Sequence, residues 1–466
     1  MSESSLSTSN KNDMPQVVDL FSGCGGFSYG FKLAGYSIAG GVEIDASAAD
    51  TASYNLHWKD GIDRDHIVDD VRTFEMKKIQ QNLNPDEPVI VIGGPPCQAY
   101  SQIGRAKLRS LGEDRIHTND QRGMLFQDFI EAVLELNAES AVMENVLESV
   151  NYGGINIPHE VCSTLEKNGY SAKWTVLNAA DFGVPQVRER VIVIASKSQD
   201  ITSEALPCPA HRASNGKLTP GKKRMKKFSE SEYFLYPKET SGEEPGWITV
   251  GEALSDLPVL FSKASDSYQY YPLNISFPYK NEAMNSYQKL MRSMNGSNLV
   301  TANSYRKTVR DFPIFERMEQ GDNYIEASEI AEDLLSSHCE VYGIDPVKDK
   351  NIYDQERKKI VPPYSKDKFK EKWKKLNEEF PSHTLVAHLS TDTYSHIHPW
   401  EPRGISVREA ARIQSFPDDF IFQCTMGDAY KQIGNAVPPL LSKALAESLS
   451  SFLFDKPEPA TTVSEE

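Results

Sequence analysis

Between residues 17 and 196 the chain repeats one arrangement, in which a short run rich in Val and Ile ends at glycine or a carboxylate and gives way to a stretch with helical spacing. VVDLF (17–21), IAGGVEI (38–44), VIVIGG (89–94), AVMENV (141–146) and RVIVIAS (190–196) are apolar runs of strand length, which predicts strands buried on both faces. FQDFIEAVLEL (126–136) places Phe126, Phe129, Ile130, Val133 and Leu134 on one side, the pattern of an amphipathic helix. Such strands spaced by helices predict an α/β fold with a doubly wound, mostly parallel sheet. Ligands of such a sheet bind outside the carboxyl ends of its strands, so the residues that finish each run are the candidate ligand contacts.

One sheet does not need 466 residues, and at about 100–200 residues per domain the chain has room for two or three domains. From 201 to 402 both periods fade, and Pro, Ser, Tyr and Lys rise in segments such as ALPCPAHRASNGKLTPGKK and YQYYPLNISFPYKN. The expected organisation is a tail at 1–14, a sheet domain at 15–200 and a second, irregular domain at 201–402. A helical segment at 403–431 would bridge the two, a C-terminal helix at 432–455 would return to the first, and 456–466 would be a tail. Within RGISVREAARIQSFPDDF (403–420), Ser406 and Glu409 have the spacing of a capping box and Pro417 helps to stop the helix, while GNAVPPLLSKALAESLSSFLF (434–454) reads as one last helix.

No apolar run approaches the roughly eighteen residues of a membrane span, and the N-terminus is polar, so a cytoplasmic protein is expected. The six cysteines contain no CxxC pair, which fits a reducing compartment. A formal charge of −16 argues against a polyanionic partner on average, yet residues 201–400 hold roughly 27 basic and 28 acidic side chains by count. The basic runs GKLTPGKKRMKKF (216–228) and KFKEKWKKL (368–376) are solvated faces or phosphate contacts, and charge alone does not decide between them.

Three constellations carry chemistry. DLFSGCGGFSYGF (19–31) runs a strand into a tight turn through Gly23, Gly25 and Gly26, and Glu43 follows Gly23 by roughly twenty residues, where a carboxylate accepts from ribose hydroxyls. This departs from GxGxxG, so a nucleoside cofactor with an amino-acid tail is as plausible as a dinucleotide. VIVIGGPPCQAYS (89–101) presents Cys97 at the sheet's rim after two glycines and two prolines, an exposed nucleophile in place of the small core residue that a free cysteine more often is. MENV (143–146) puts Glu144 at the end of another buried strand, where a protonatable carboxyl beside a nucleophile reads as a general acid. Gln186, Arg188 and Arg190 in PQVRER precede the next strand and are candidates for a base edge or a phosphate. The histidines at 383, 388, 396 and 398 lack HExxH and a cysteine partner, as CPAH (208–211) lacks a second pair, so no metal is expected.

DLFSGCGGF, GGPPCQAYS, MENV, QVRER, RGISVREAARIQSFPDDF and QIGNAVPP, in that order, resemble the DNA (cytosine-5)-methyltransferases over roughly the first 200 and last 65 residues. The resemblance implies a Rossmann-like methyltransferase fold, S-adenosyl-L-methionine as cofactor, a cytosine in duplex DNA as substrate, and a target-recognition domain in the middle segment. It implies that Phe21 and Ile44 lie against the adenine and that Ser22, Gly23, Cys24, Gly25 and Gly26 form the turn around the methionine portion. Glu43 would bind the ribose, and Asp70, beside Val71, the adenine amino group, with Leu125, Asn435, Ala436 and Val437 completing the pocket. Cys97 would add at C6, Glu144 would stabilise the charge at N3 and the exocyclic amine, and Arg188 and Arg190 would contact O2 or the loop. The Pro96 carbonyl would help select the amino group, and the segment from Gln98 to Arg122, with Ser101, Gly104 and Arg105, would close on a cytosine flipped out of the helix. Lys222, Lys223, Arg224, Lys226 and Lys227 would meet DNA phosphates.

The expected role is then the modification enzyme of a restriction system or a solitary counterpart, a monomer at the nucleoid whose cognate endonuclease need not form a stable complex. A tRNA methyltransferase of the same fold and a catalytically silent DNA-binding homologue are the alternatives. A dehydrogenase explains the glycine turn and leaves PPCQ and ENV without work.

Overall fold

The computed structural model describes residues 15–96, 125–213, 219–261, 272–306, 310–364, 372–390 and 394–454. They fall into two compact units, the first built from the chain up to Phe182, Glu189–Pro245 and the chain from Val437, the second from Gly183–Arg188 and Gly246–Ala436.

The first unit holds a seven-stranded sheet: β1 (Gln16–Leu20), β2 (Ser37–Glu43), β3 (Ile67–Val68), β4 (Val89–Gly93), β5 (Ser140–Asn145), β6 (Ser171–Asn178) and β7 (Glu189–Ser196), in the order β3-β2-β1-β4-β5-β7-β6. The pairs β1–β2, β2–β3, β1–β4 and β4–β5 are parallel, while β7 runs antiparallel to both β5 and β6. Two consequences fix the site. The winding direction reverses between β1 and β4, and such a switch point opens a crevice at the carboxyl ends of these strands. Because β7 runs the other way, its first residues, Glu189 and Arg190, arrive at that same rim.

The five Val- and Ile-rich runs are strands as expected, each buried because helices cover both faces of a parallel sheet. Leu125–Glu135 buries Phe126, Phe129, Ile130 and Val133 against Val18, Val91 and Met143 on one side. On the other, Gly26–Leu33 packs on Pro439–Leu453, where the Ser442 hydroxyl donates to the Phe27 carbonyl and Tyr36 to that of Ala446 at 3.0 Å.

Several boundaries differ from expectation. The final helix is two, Met426–Asn435 and Pro439–Leu453, parted at Ala436–Pro438, because Pro438 and Pro439 lack amide donors and reset the chain. The sheet unit continues to Pro245 instead of ending at 200: Trp174 of β6 donates to the Tyr233 carbonyl at 2.9 Å and accepts from Leu235 at 2.8 Å, so residues 233–235 extend the sheet edge. Residues 403–436, expected as a bridge and a returning segment, belong to the second unit.

That second unit has its own core around Phe315, Tyr324, Trp373, Tyr394 and Ile397. Val407–Ile413 starts at the anticipated Ser406–Glu409 capping box. Its arginines are structural. Arg412, fully buried, is held by Asp256 and Asp418, Arg408 donates to the carbonyls of Pro417 and Phe420, and Arg403 forks onto Glu401 and Glu409. Buried charges persist only when partnered in this way, and removing one partner costs about 3–5 kcal/mol.

Candidate active site

The turn after β1 is built from backbone that most residues resist. Phe21 has φ 59°, Gly23 φ 53° and Gly25 φ 84°. A Cβ on Gly25 would lie 2.9 Å from Leu56 Cδ1, so glycine is required there by conformation and by space, whereas a Cβ on Gly23 would meet nothing within 4 Å. The turn is therefore tight on its protein side and open on the other. Glu43, at the end of β2, accepts from the Gly23 amide at 2.8 Å and from the Asp45 amide at 2.9 Å, and Asp45 caps the helix Ala46–Leu56. Burial raises the Glu43 carboxyl above its usual range, opposed by those amide hydrogen bonds. Beside it Ile44 is 67% exposed, a bare apolar side chain next to a carboxylate, which suits the flat face and hydroxyls of a nucleoside. Ser22, Cys24 and Gly26 are in the turn and at the start of the helix, and Val71 and Leu125 are buried in the same unit. Asp70 is forked by the Arg72 guanidinium, which holds it below the usual carboxylate range.

Glu144, next to last in β5, has its carboxylate laid against Gly94, whose Cβ, if it had one, would sit 3.2 Å from Glu144 Oε2. Its other oxygen lies 2.6 Å from Arg190 Nε, and both side chains are nearly buried. Arg190 reaches this position because β7 is antiparallel, and its own Nη1 donates to the Glu189 carbonyl at 2.8 Å. Asn145 reaches the Pro95 carbonyl at 3.5 Å, tying the end of β4 to β5. Pro95 is buried and Pro96 exposed. Cys97, Gln98, Ser101, Gly104, Arg105 and Arg122 lie outside the described residues.

Arg188, expected beside the base or the loop, spends its guanidinium on backbone carbonyls. It is buried in the second unit, where it donates to the carbonyls of Leu385 at 2.9 Å, Gly434 at 3.0 Å and Ala436 at 3.2 Å. Gln186 accepts from the Leu385 amide and donates to Gln414, and Gln414 donates to the Ala436 carbonyl at 2.6 Å. These two residues shape the backbone around Asn435 and Ala436, while Val437 begins the return to the first unit. Of the second basic run, residues 368–371 lie outside the described residues; Trp373 is core and Lys375 is buried against the carbonyls of Phe315 and Met318 at 3.0 and 2.8 Å, so these two are packing residues instead of phosphate contacts. Lys222, Lys223, Arg224, Lys226 and Lys227 are exposed on Pro220–Phe228, which belongs to the sheet unit and not to the irregular domain. His398, Glu401 and Glu409 place ligand atoms within 4.8 Å of one another, but Arg403 supplies the positive charge at both carboxylates.

Sequence reading missed the polar layer under the turn. Asp19 is buried in β1 and accepts from the Ser28 hydroxyl at 2.6 Å; burial pushes its carboxyl up to about 7, against the pull of the Ser28 hydrogen bonds. His66 Nδ1 lies 3.0 Å from the Ser22 hydroxyl, and burial, with His57 nearby, lowers it to about 3, so it stays neutral. The signal available was a carboxylate inside an apolar strand, which the strand pattern had absorbed. Because the folded pKa of Asp19 is raised, the folded state binds a proton that the unfolded chain has lost, and stability falls as pH rises from about 4 to 7. The loss is at most about 4 kcal/mol for a three-unit displacement. Asp19→Asn is expected to flatten melting temperature against pH across that window; parallel curves for the two proteins would contradict it.

Residues 15–451 match the family model described as C-5 cytosine-specific DNA methylase. The chain is 51% identical over 446 residues, 95% of it and 96% of the relative, to M.OihORF3336P of Oceanobacillus iheyensis, a protein named as a type II methyltransferase. It is 31% identical to the type II methyltransferase M.DdeI of Desulfomicrobium norvegicum, covering 93% of this chain and 88% of that one. Among solved structures, a DNA modification methyltransferase encoded within an Escherichia coli prophage shares the fold, with a TM-score of 0.61 at 21% identity over 94% of this chain and 99% of the other.

Proposed function

We propose, from the premise that this chain belongs to the C-5 cytosine-specific DNA methylase family, that it methylates C5 of a cytosine within a short sequence of duplex DNA, as the modification enzyme of a type II restriction system. The observation that carries this reading is the Glu144–Arg190 pair set against Gly94, three residues before Cys97. S-adenosyl-L-methionine, when bound, supplies an electrophilic methyl group. The open side of the Gly23 turn, the Glu43 carboxylate and the exposed Ile44 fit its amino-acid, ribose and adenine portions.

C5 of cytosine is a weak nucleophile, and the residues at the rim address that. The Cys97 thiolate adds to C6, forming the S–C6 bond and moving the ring electrons toward C5 as an enamine. Glu144, beside Arg190, faces N3 and the exocyclic amine; in its protonated form it gives its proton to N3, neutralising the charge that sulfur delivers, and takes it back when Cys97 is expelled. After methylation a base from solvent accepts the C5 proton, the C5–C6 double bond reforms and Cys97 leaves as the thiolate. The base must first leave the stack, at a cost of about a few kcal/mol. The second unit is the proposed reader of the DNA sequence.

Labelled methyl transfer from S-adenosyl-L-methionine, with duplex DNA and tRNA in parallel, tests this. The expected result is label on cytosine at one short motif in DNA, located by bisulfite sequencing. Label on tRNA alone would move the substrate, and label on neither would sink the proposal.

A further inference from the structure

We propose that the helix Pro220–Phe228 is a contact surface for duplex DNA on the sheet unit, a row of cations that grips backbone phosphates and reads no base. This rests on the DNA-methylating function proposed above. The helix PGKKRMKKF carries Lys222, Lys223, Arg224, Lys226 and Lys227 and no acidic residue. Gly221 and Phe228 are buried and Met225 half-buried, so the inner face holds Gly221, Met225 and Phe228, and all five cations are exposed on the solvent side. None of the five is engaged in an ion pair with a described residue. Lys222 with Lys226 and Lys223 with Lys227 stand at i,i+4, where like charges destabilise a helix. Lys222, Lys223 and Arg224 lie near the N-terminus, where the helix dipole disfavours cations. In a chain of net charge −16, this arrangement is locally unfavourable in the free protein and is relieved by a polyanion.

The helix is also held firmly, which a mere solvated face does not need. At its start, Glu189 of β7 accepts from the Thr219 hydroxyl and from the Gly221 amide at 2.7 Å. At its end, Phe228 packs with Trp174 and Phe234, rings 5.7 and 5.9 Å apart. The anchoring residue Glu189 directly precedes Arg190, the partner of Glu144, so the row of cations begins at the carboxyl rim of the sheet. Preset charges at a rim where DNA is worked on contribute through counterion release, independent of sequence.

The test replaces all five by glutamine, which keeps helix propensity while removing charge. Duplex DNA affinity is measured from about 50 to 200 mM salt, using a duplex that the unaltered enzyme methylates. The expected result is a salt slope shallower by about 2–4, since each phosphate contact contributes about 0.9, and a Kd raised at least about tenfold. Turnover at saturating DNA and S-adenosyl-L-methionine affinity should stay unchanged. A folded variant with the parent's slope and Kd overturns the proposal, as does a slope change seen with tRNA and absent with duplex DNA. Should the five-fold variant misfold, Lys223→Gln with Lys227→Gln, both mid-face, is expected to lower the slope by about 1–2. Failure of the parent to methylate any duplex would instead count against the underlying function.

Discussion

Replacing Cys97 by serine is expected to lower methyl transfer by about three orders of magnitude or more while leaving duplex DNA bound. A thiol of ordinary pKa about 8.5 is partly thiolate near neutrality, and a serine hydroxyl has no comparable anionic fraction to add at C6. The measurement is single-turnover transfer beside a DNA-binding isotherm. A duplex with 5-fluorocytosine at the target adds a second readout, because fluorine cannot leave C5 as the proton does. The unaltered enzyme should then form a denaturant-stable adduct that Cys97→Ser does not. Near-normal transfer by the variant would remove the covalent route.

Glu144→Gln is expected to cost about 10²- to 10⁴-fold in turnover, with a smaller change in cofactor affinity. The amide preserves size against Gly94 and can still hydrogen-bond the base, but it has no acidic proton to give to N3 and no charge to pair with the Arg190 guanidinium. Arg190→Lys should give an intermediate loss, since one ammonium cannot both stand at the Nε position 2.6 Å from Glu144 and donate to the Glu189 carbonyl as Nη1 does. Equal activity of Glu144→Gln and the parent across pH would show that this carboxylate is a scaffold for the end of β4 and not a participant.

Much of this site was legible before the fold was known, for a reason that its residues share. Glu43, Glu144 and the Gly23–Gly26 turn each close an apolar run, and in a parallel sheet the end of a run is the rim. What escaped reading depended on partners distant in sequence. Arg188 and Arg190 look alike as a pair, yet one donates to carbonyls at 385, 434 and 436 while the other meets Glu144. β6 was missed because SAKWTVLN lacks a clear apolar run, and β3 because two residues leave no period to detect. The unit boundary at Pro245 was hidden for a similar cause: Tyr233 and Phe234 look like irregular aromatic sequence until Trp174 is beside them. Asp19 fits the strand pattern of VVDLF, and it is burial, against the pull of the Ser28 hydrogen bonds, that pushes its carboxyl up to about 7.

The packing of Gly26–Leu33 on Pro439–Leu453 has a bearing on how the protein is made. On a ribosome adding about 5–20 residues per second, roughly 20–80 seconds separate the emergence of the first helix from that of its partner. During that interval Phe27 and Tyr36 lack Ser442 and Ala446, and the whole of the second unit is being synthesised. The turn after β1 is translated long before the helix that completes its packing, so nascent chains stalled before Pro439 are expected to be cleaved readily by protease near residues 26–36, and chains that include Pro439–Leu453 to resist.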